Sequence, residues 1–312
     1  MYETGKQIAP RKTVIVISSH VARGSVGNRA AVFALEVLGH PVWAIPTIVL
    51  PFHPGHGKAT RIVPGDAEFE ALLEDLAEAP WLAEVGAILT GYIANPAQAR
   101  AVAGFIAKIT ARNPQIIHAF DPVMGDNGQL YVAEETALAM RDHLLPTARI
   151  VTPNRFELSQ LSGMAAETLD EAMKAASLIA GTGTNRIIVA TSMPGFMKDG
   201  IGNLLWTGGE GRFAETREVA NPPKGPGDVM SALFLSHFLQ GASLAKALDT
   251  TTASLVEIID RAARRGADEL MLETDARSII SPMARVTSRE LVTPSPATRE
   301  GGRLRVQVKP KN

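Results

Sequence analysis

Short β-rich runs alternate with longer amphipathic runs from near the start of the chain, and this alternation restricts the fold more than any other feature. "TVIVIS" (13–18), "NRAAVFALEVL" (28–38) and "PVWAIPTIVL" (41–50) read as strand, helix, strand. The pattern continues with "VGAILTGY" (85–92) before a helix from Pro96, "PQIIHAF" (114–120) before one near Glu134, and "ARIVTPN" (148–154) before one near Phe156. "NRIIVATS" (185–192) leads into a hairpin-like pair, "NLLWT" (203–207) and "RFAETREVA" (212–220). Such repetition predicts an α/β fold of three layers, a central, mostly parallel sheet with helices on both faces. With 312 residues, 46% of them hydrophobic, the chain is long enough to bury a core of that size.

In sheets of this kind ligands bind outside the carboxyl ends of the strands. Here those ends run into polar or glycine-bearing loops: "SSHVARGSVGN", "TGYIANP", "DPVMGDNG", "TPNRFE" and "TSMPG". "LPFHPGHGKATRIVPGD" (50–66) breaks the rhythm with three prolines and three glycines and reads as a projecting flap or lid. From Pro282 the apolar rhythm is lost, and seven Lys or Arg face two Glu. One domain over 1–282, followed by a basic, mobile tail over 283–312, is therefore expected.

Thirty-one Lys plus Arg balance 32 Asp plus Glu, so no global field draws the chain to nucleic acid or an anionic membrane, and phosphate chemistry must be local. Cysteine is absent, which excludes disulfides, thiolate metal sites and a cysteine nucleophile. "MYETGKQIAPRK" contains no signal-like apolar run and no eighteen apolar residues are consecutive, so a cytoplasmic location is expected.

Common phosphate and esterase signatures fail. "GHGKAT" (55–60) lacks the upstream Gly and the Ser or Thr after Lys58 of a Walker A loop. "GTGTNR" (181–186) has Arg where a dinucleotide fingerprint needs its third Gly, and "ATSMPG" is not a nucleophile elbow. "GPGD" (225–228) survives. Two glycines before a helix expose backbone N–H groups beside the helix N-terminus, an anion pocket. A carboxylate there, Asp228, is either an ordinary N-cap or a base that takes a proton from whatever attacks a bound phosphate. The helix that follows, "VMSALFLSHFL", is apolar nearly all round and should be buried with its N-terminus at the crevice.

Asp121 and Asp126 in "DPVMGDNGQLYV" suit a hydrated Mg²⁺, or form an Asp-rich turn in which Asn127 and Gly128 take positive φ. Asn154 and Glu157 in "TPNRFELSQLSG" have the spacing of an N-cap and its reciprocal partner, and sit where they could also serve a metal or phosphate. His53 and His56 have a zinc-like spacing but no third ligand nearby, and His20, after the first strand, is placed to meet a substrate ring or to satisfy its own loop.

Taken together, "SSHVARGSVGN", "TGY" (90–92), "DPVMGDNGQLYV", "TPNRFEL", "TS" (191–192) and "GPGD" before a long helix resemble the pyridoxal kinases of the ribokinase superfamily, over roughly residues 13–265. The resemblance implies a ribokinase-like fold with a small lid and ATP-dependent phosphorylation of the 5′-hydroxymethyl group of pyridoxal, pyridoxine or pyridoxamine. It also implies Mg²⁺, commonly K⁺ as well, and a homodimer acting in vitamin B6 salvage. By position, Asp228 matches the family's catalytic base, and Gly225 and Gly227 its anion hole. Asp121, Asn154 and Glu157 match residues around Mg²⁺ and the triphosphate, with Asp121 and Glu157 nearest the metal and Asp126 near the γ-phosphate. Thr191 and Ser192 match nucleotide contacts, and Ser19, Thr47 and Tyr92 contacts to the pyridine ring. Three features depart from the family: Pro226 stands between the two glycines and has no N–H, "LPFHPGHG" replaces a flap richer in Asn, Ser and Tyr, and the basic tail has no counterpart. Hydroxymethylpyrimidine, another flat ring bearing a primary alcohol, is the alternative substrate, and a non-catalytic vitamer binder is the alternative of a different class.

Overall fold

The structure, a computed structural model, describes residues 11–291. β1 (Thr13–Val21) is buried along its first six residues, as an apolar run must be when helices cover both faces of a parallel sheet. α1 (Asn28–Val37) and β2 (Val42–Leu50) complete the first unit, and β2 pairs in parallel with β1. After the flap come α2 (Asp66–Ala77) and β3 (Val85–Thr90), which takes the other side of β1. α3 (Pro96–Arg112) starts where Asn95 accepts the Gln98 N–H and Pro96 occupies the first turn, and it returns the chain to β4 (Ile117–Phe120).

A two-stranded hairpin, β5 (Gly125–Asp126) and β6 (Gln129–Leu130), then α4 (Glu134–Ala139), lead to β7 (Ile150–Val151). α5 (Arg155–Ser162), α6 (Leu169–Ala180) and β8 (Ile187–Pro194) follow, then the antiparallel pair β9 (Gly200–Thr207) and β10 (Glu210–Arg217). The chain continues through α7 (Pro226–Leu239), α8 (Leu244–Arg264), α9 (Leu272–Ile280) and β11 (Thr287–Leu291).

The nine-stranded sheet runs β11-β10-β9-β8-β7-β4-β3-β1-β2, parallel from β2 to β8 and antiparallel beyond. One apolar core lies under α2 to α6 and a second under α1, α7, α8 and α9, giving the three layers expected from the alternation. α7 is sealed in the second: residues 229–236 are all buried, so its N-terminus is fixed against the carboxyl end of the sheet.

One expectation changes. The segment from residue 283, expected to be a mobile tail, instead enters the sheet, because β11 pairs antiparallel with β10. Arg289 forms an ion pair with the fully buried Glu215, and its guanidinium lies 4.3 Å from the Phe196 ring centroid. Backbone pairing, the Arg289 cation, the Ser288 hydroxyl on Asp249 and the single apolar contact of Leu291 hold this edge strand, so no apolar periodicity announces it; the remainder of the expected tail, from 292, lies outside the described residues. The flap carries a single 3₁₀ turn at Pro54–His56 and is joined at its base by an antiparallel bridge between Val49 and Ile62.

Candidate active site

The carboxyl ends of β1, β4, β7 and β8 open into one cavity of about 940 Å³, roofed by the flap and closed on one side by the N-terminus of α7. Of the residues expected at a site, Ser19, Tyr92, Asp121, Asp126, Asn154, Glu157, Thr191, Ser192, Gly225, Gly227 and Asp228 all line it. Thr47 does not. It is fully buried on β2 and its hydroxyl donates to the Tyr92 carbonyl at 2.8 Å, so it shapes the backbone beneath Tyr92 and is not on the cavity wall. His20 does not line the cavity either.

Gly225 is the N-cap of α7 with φ 101°, and a Cβ there would lie 2.3 Å from the Ser25 carbonyl oxygen, so only glycine fits. Pro226 takes the first turn, where its fixed φ suits a helix start but its missing N–H removes one donor from the cradle. A Cβ on Gly227 would meet nothing within 4 Å, because the space beside it is the cavity. Asp228 is not the N-cap; its Oδ2 accepts the Gly27 N–H at 2.8 Å across the cavity floor. Burial pushes its carboxyl up to about 6, while the backbone amides of Gly27 and of Asp228 itself hold it down.

Asp121, at the end of β4, faces the same helix. Its Oδ2 accepts from Ser231 Oγ at 2.8 Å, and Ser231 is 2.8 Å from Thr152 Oγ1, which links β4, the end of β7 and α7 through one hydroxyl chain. Ser231 lies one turn after Asp228, so both carboxyls converge on one end of the helix. Burial, and next repulsion from Asp228, push Asp121 up to about 8.

Glu157 and Asn154 form the full capping box: Asn154 Oδ1 accepts the Glu157 N–H at 2.9 Å and Glu157 Oε2 accepts the Asn154 N–H at 2.8 Å. The box also does work outside the helix. Glu157 Oε1 accepts the Met124 N–H at 3.1 Å, and Asn154 Nδ2 donates to the Gly125 carbonyl at 2.8 Å, which fixes the "VMGD" loop under the cavity. Burial and the nearby Asp121 push the Glu157 carboxyl well above its usual range. Asp126 sits at the exposed hairpin tip and caps the Asn127 N–H at 2.8 Å, with Asn127 and Gly128 at the positive φ expected of this turn. Thr191 N–H pairs with the Pro153 carbonyl at 2.8 Å, and Ser192 has φ 57°, an orientation that turns the end of β8 toward the cavity.

Among the described residues no three His, Cys, Asp or Glu are grouped to cage a metal, and His53 and His56 have other partners: His53 Nδ1 accepts the Gly55 N–H, and His56 binds Glu269 outside the flap. Burial and Asp228 nevertheless raise the proton affinity of Asp121, and burial and Asp121 that of Glu157, which a hydrated divalent cation held by the two carboxyls would reverse. Two carboxylates plus water and phosphate oxygens is the donor set Mg²⁺ favours, so the residues fit that ion.

Without a cation the same strain gives a stability prediction. A carboxyl whose folded pKa is raised gives most stability while protonated, and that stability is lost as pH rises from about 4 through about 8. Asp121→Asn keeps an acceptor for Ser231, so in nucleotide-free, metal-free protein it should raise the unfolding free energy at pH 8 by an amount of order a few kcal/mol, and change it little at pH 4. Calorimetry at the two pH values checks this; a variant less stable at pH 8 contradicts it.

Residues that the sequence reading did not single out complete the site. Arg61 and Lys224 also line the cavity, and Arg61 Nη2 donates to the Tyr92 hydroxyl at 2.7 Å. Lys224 directly precedes Gly225, a cation beside a glycine cradle, which was a readable signal. Ser231 and Thr152 gave none, because a serine inside an apolar helix says nothing of a partner 110 residues away.

A family model described as phosphomethylpyrimidine kinase matches residues 66–272. A pyridoxal kinase of Rubrobacter xylanophilus is 35% identical over 89% of this chain and 97% of its own. The chain belongs to the pyridoxal kinase family. A pyridoxine/pyridoxal/pyridoxamine kinase of Bordetella bronchiseptica is 36% identical over 83% of this chain and 92% of its own. Among solved structures, pyridoxal kinase from Leishmania donovani in complex with ADP and pyridoxamine has a TM-score of 0.83 at 30% identity, covering 90% of this chain and 99% of that one. The three-layer architecture is thus that of pyridoxal kinases, placed by its fold in the ribokinase-like superfamily.

Proposed function

We propose that this chain is a kinase that transfers the γ-phosphoryl group of ATP to the 5′-hydroxymethyl oxygen of pyridoxal, and of pyridoxine and pyridoxamine, giving the 5′-phosphates in vitamin B6 salvage. One observation carries the reading: Asp228 stands at the N-terminus of the buried helix α7, beside the glycine cradle, with its carboxylate open to the cavity and held by the Gly27 amide. An alcohol is a poor nucleophile, and an ionised carboxylate in line with it accepts the proton as the bond to phosphorus forms. The amide of Gly227 would offset charge on the transferred group, and the cations of Arg61 and Lys224, which also line the cavity, would add to it. Asp121 and Glu157 would hold Mg²⁺ through its water shell, which when bound neutralises phosphate charge. Ser19 and Tyr92 would meet the pyridine ring, and Thr191, Ser192, Asn154 and Asp126 the nucleotide. The pyridoxal kinases among its relatives, and the complex of one with ADP and pyridoxamine, support ATP and a B6 vitamer as the substrates.

Hydroxymethylpyrimidine is the second reading, favoured by the family model that spans residues 66–272. The test is ADP release with MgATP across pyridoxal, pyridoxine, pyridoxamine and hydroxymethylpyrimidine, with and without K⁺. Turnover of the vitamers above that of the pyrimidine is expected; ADP release with the pyrimidine alone overturns the substrate, and vitamer binding without ADP release makes the protein a sensor. We further propose a homodimer in the cytoplasm, checked by sedimentation; no helix among the described residues is long and apolar enough to cross a membrane.

Pro226 gives a prediction of its own. Pro226→Ala restores an N–H to the first turn of α7, and where that donor reaches the transferring group kcat should rise, up to about 10²-fold. Steady-state kinetics checks this; an unchanged or lower kcat shows that the cradle is already complete without it.

A further inference from the structure

Glu269 has no part in the chemistry described so far. It is 5% exposed, on the segment between α8 and α9, and its carboxylate gathers donors from two other parts of the chain. Oε2 accepts the Ser25 N–H at 2.7 Å. Oε1 accepts from His56 Nε2 at 2.8 Å and lies 3.5 Å from Arg23 Nη1. Asp268 beside it is 3.4 Å from Arg23 Nη2 and 3.6 Å from His56 Nδ1. A Cβ on Gly24 would fall 1.8 Å from Glu269 Oε2, so the loop after β1 is moulded on this carboxylate.

Both things that Glu269 holds reach the reacting end of the cavity. His56 closes the 3₁₀ turn whose first residues, Pro54 and Gly55, form the cavity roof with His53 before them. Ser25 is two residues before Gly27, whose N–H meets the Asp228 carboxylate at 2.8 Å, and its carbonyl is the group that leaves room only for glycine at 225. The backbone adds a third tie: Lys224 N–H donates to the Asp268 carbonyl at 3.1 Å, and Leu270 N–H to that of Lys224 at 3.2 Å. The Glu269 carboxylate thus joins the roof to the loop carrying the amide partner of Asp228, and the backbone beside it holds the segment leading into the cradle.

We infer that Glu269 is a positioning residue for the kinase reaction proposed above: through His56 it holds the flap over the cavity, and through Ser25 it sets the loop that presents the Gly27 amide to Asp228. A held flap keeps water from the γ-phosphorus. When it is released, water can replace the vitamer alcohol as nucleophile. Its oxygen then bonds to phosphorus, the bond to the bridging oxygen of ADP breaks, and the displaced proton passes to solvent, leaving inorganic phosphate and ADP.

His56→Ala severs only the flap contact. Glu269→Gln keeps an acceptor for Ser25 but removes the charge facing His56 and Arg23. In the free protein, hydrogen exchange of amides in residues 51–61 should be about tenfold faster or more in both variants, since each loses a hydrogen bond to a charged group, while β1 and α7 keep wild-type protection in His56→Ala. With pyridoxal and MgATP, ADP released per vitamer phosphorylated should rise above one in both, and KM for pyridoxal should rise more than kcat falls in His56→Ala. The double variant should be no worse than Glu269→Gln alone, because both act through one contact. Wild-type flap exchange in both variants, or a ratio of one with unchanged KM, overturns the inference, including where the melting temperature drops. The wild-type arm separates the two readings: no vitamer phosphorylation there defeats the kinase assignment, and flap exchange then decides the role of Glu269 alone.

Discussion

Asp228→Asn is expected to lower kcat for vitamer phosphorylation by about 10³-fold while ATP affinity stays within a few-fold of wild type. Asparagine has the same shape, and its carbonyl oxygen can still accept the Gly27 N–H that Asp228 Oδ2 accepts at 2.8 Å. What it cannot do is take a proton. Folding should not suffer either, because the buried carboxyl is already pushed up to about 6, so ionising it works against the folded state near neutral pH. A loss confined to kcat, with nucleotide binding by calorimetry preserved, is the signature of a group that acts in the transition state alone. Near-normal turnover would remove Asp228 from the mechanism.

The two glycines of the cradle should fail in opposite ways. Gly227→Val places a side chain where a Cβ meets nothing but cavity, so the protein should fold as wild type and lose kcat by about 10²-fold or more as the transferred group loses its seat. Gly225→Ala puts a Cβ 2.3 Å from the Ser25 carbonyl at φ 101° and should cost about 1–3 kcal/mol or more in stability, with the Gly27 contact to Asp228 disturbed as a consequence. Denaturation and kinetics on both variants check the contrast. A destabilised Gly227→Val with normal turnover per folded molecule would mean that the glycine serves the helix and not the phosphate.

The parallel half of the sheet was legible because its strands are short apolar runs closed by polar loops, a pattern that burial on both faces imposes on β1 and β3 alike. α6 carried a readable signal that the sequence reading passed over, the Thr168 and Glu171 capping box ahead of an amphipathic run. β11 carried none, since its place is set by backbone pairing and the Arg289 to Glu215 ion pair. Within the site, motifs placed Asp121, Glu157, Gly225 and Asp228 at strand or helix ends, and the fold brings them to one cavity. Position by resemblance was weaker for Thr47, where the local pairing of its hydroxyl with the Tyr92 carbonyl turns it away from the cavity. Contacts between distant segments, Ser231 with Asp121 and Glu269 with Ser25 and His56, have no local signature at all. Of the alternatives posed for Asn154 and Glu157 the structure shows the cap, and the same two side chains also fix the loop under the cavity.

The claim on which the rest depends is that one carboxylate removes the proton of the vitamer alcohol during phosphoryl transfer. Its most direct test is the single-turnover rate of pyridoxal 5′-phosphate formation, at saturating pyridoxal and MgATP, followed between pH 4.5 and 8.5 in wild type and in Asp228→Asn. The account predicts a wild-type rate that falls with unit slope on the acid side, as a single carboxyl becomes protonated, and a variant rate that is low and has lost that limb. A flat wild-type profile, or the same acid limb surviving in Asp228→Asn, would contradict it.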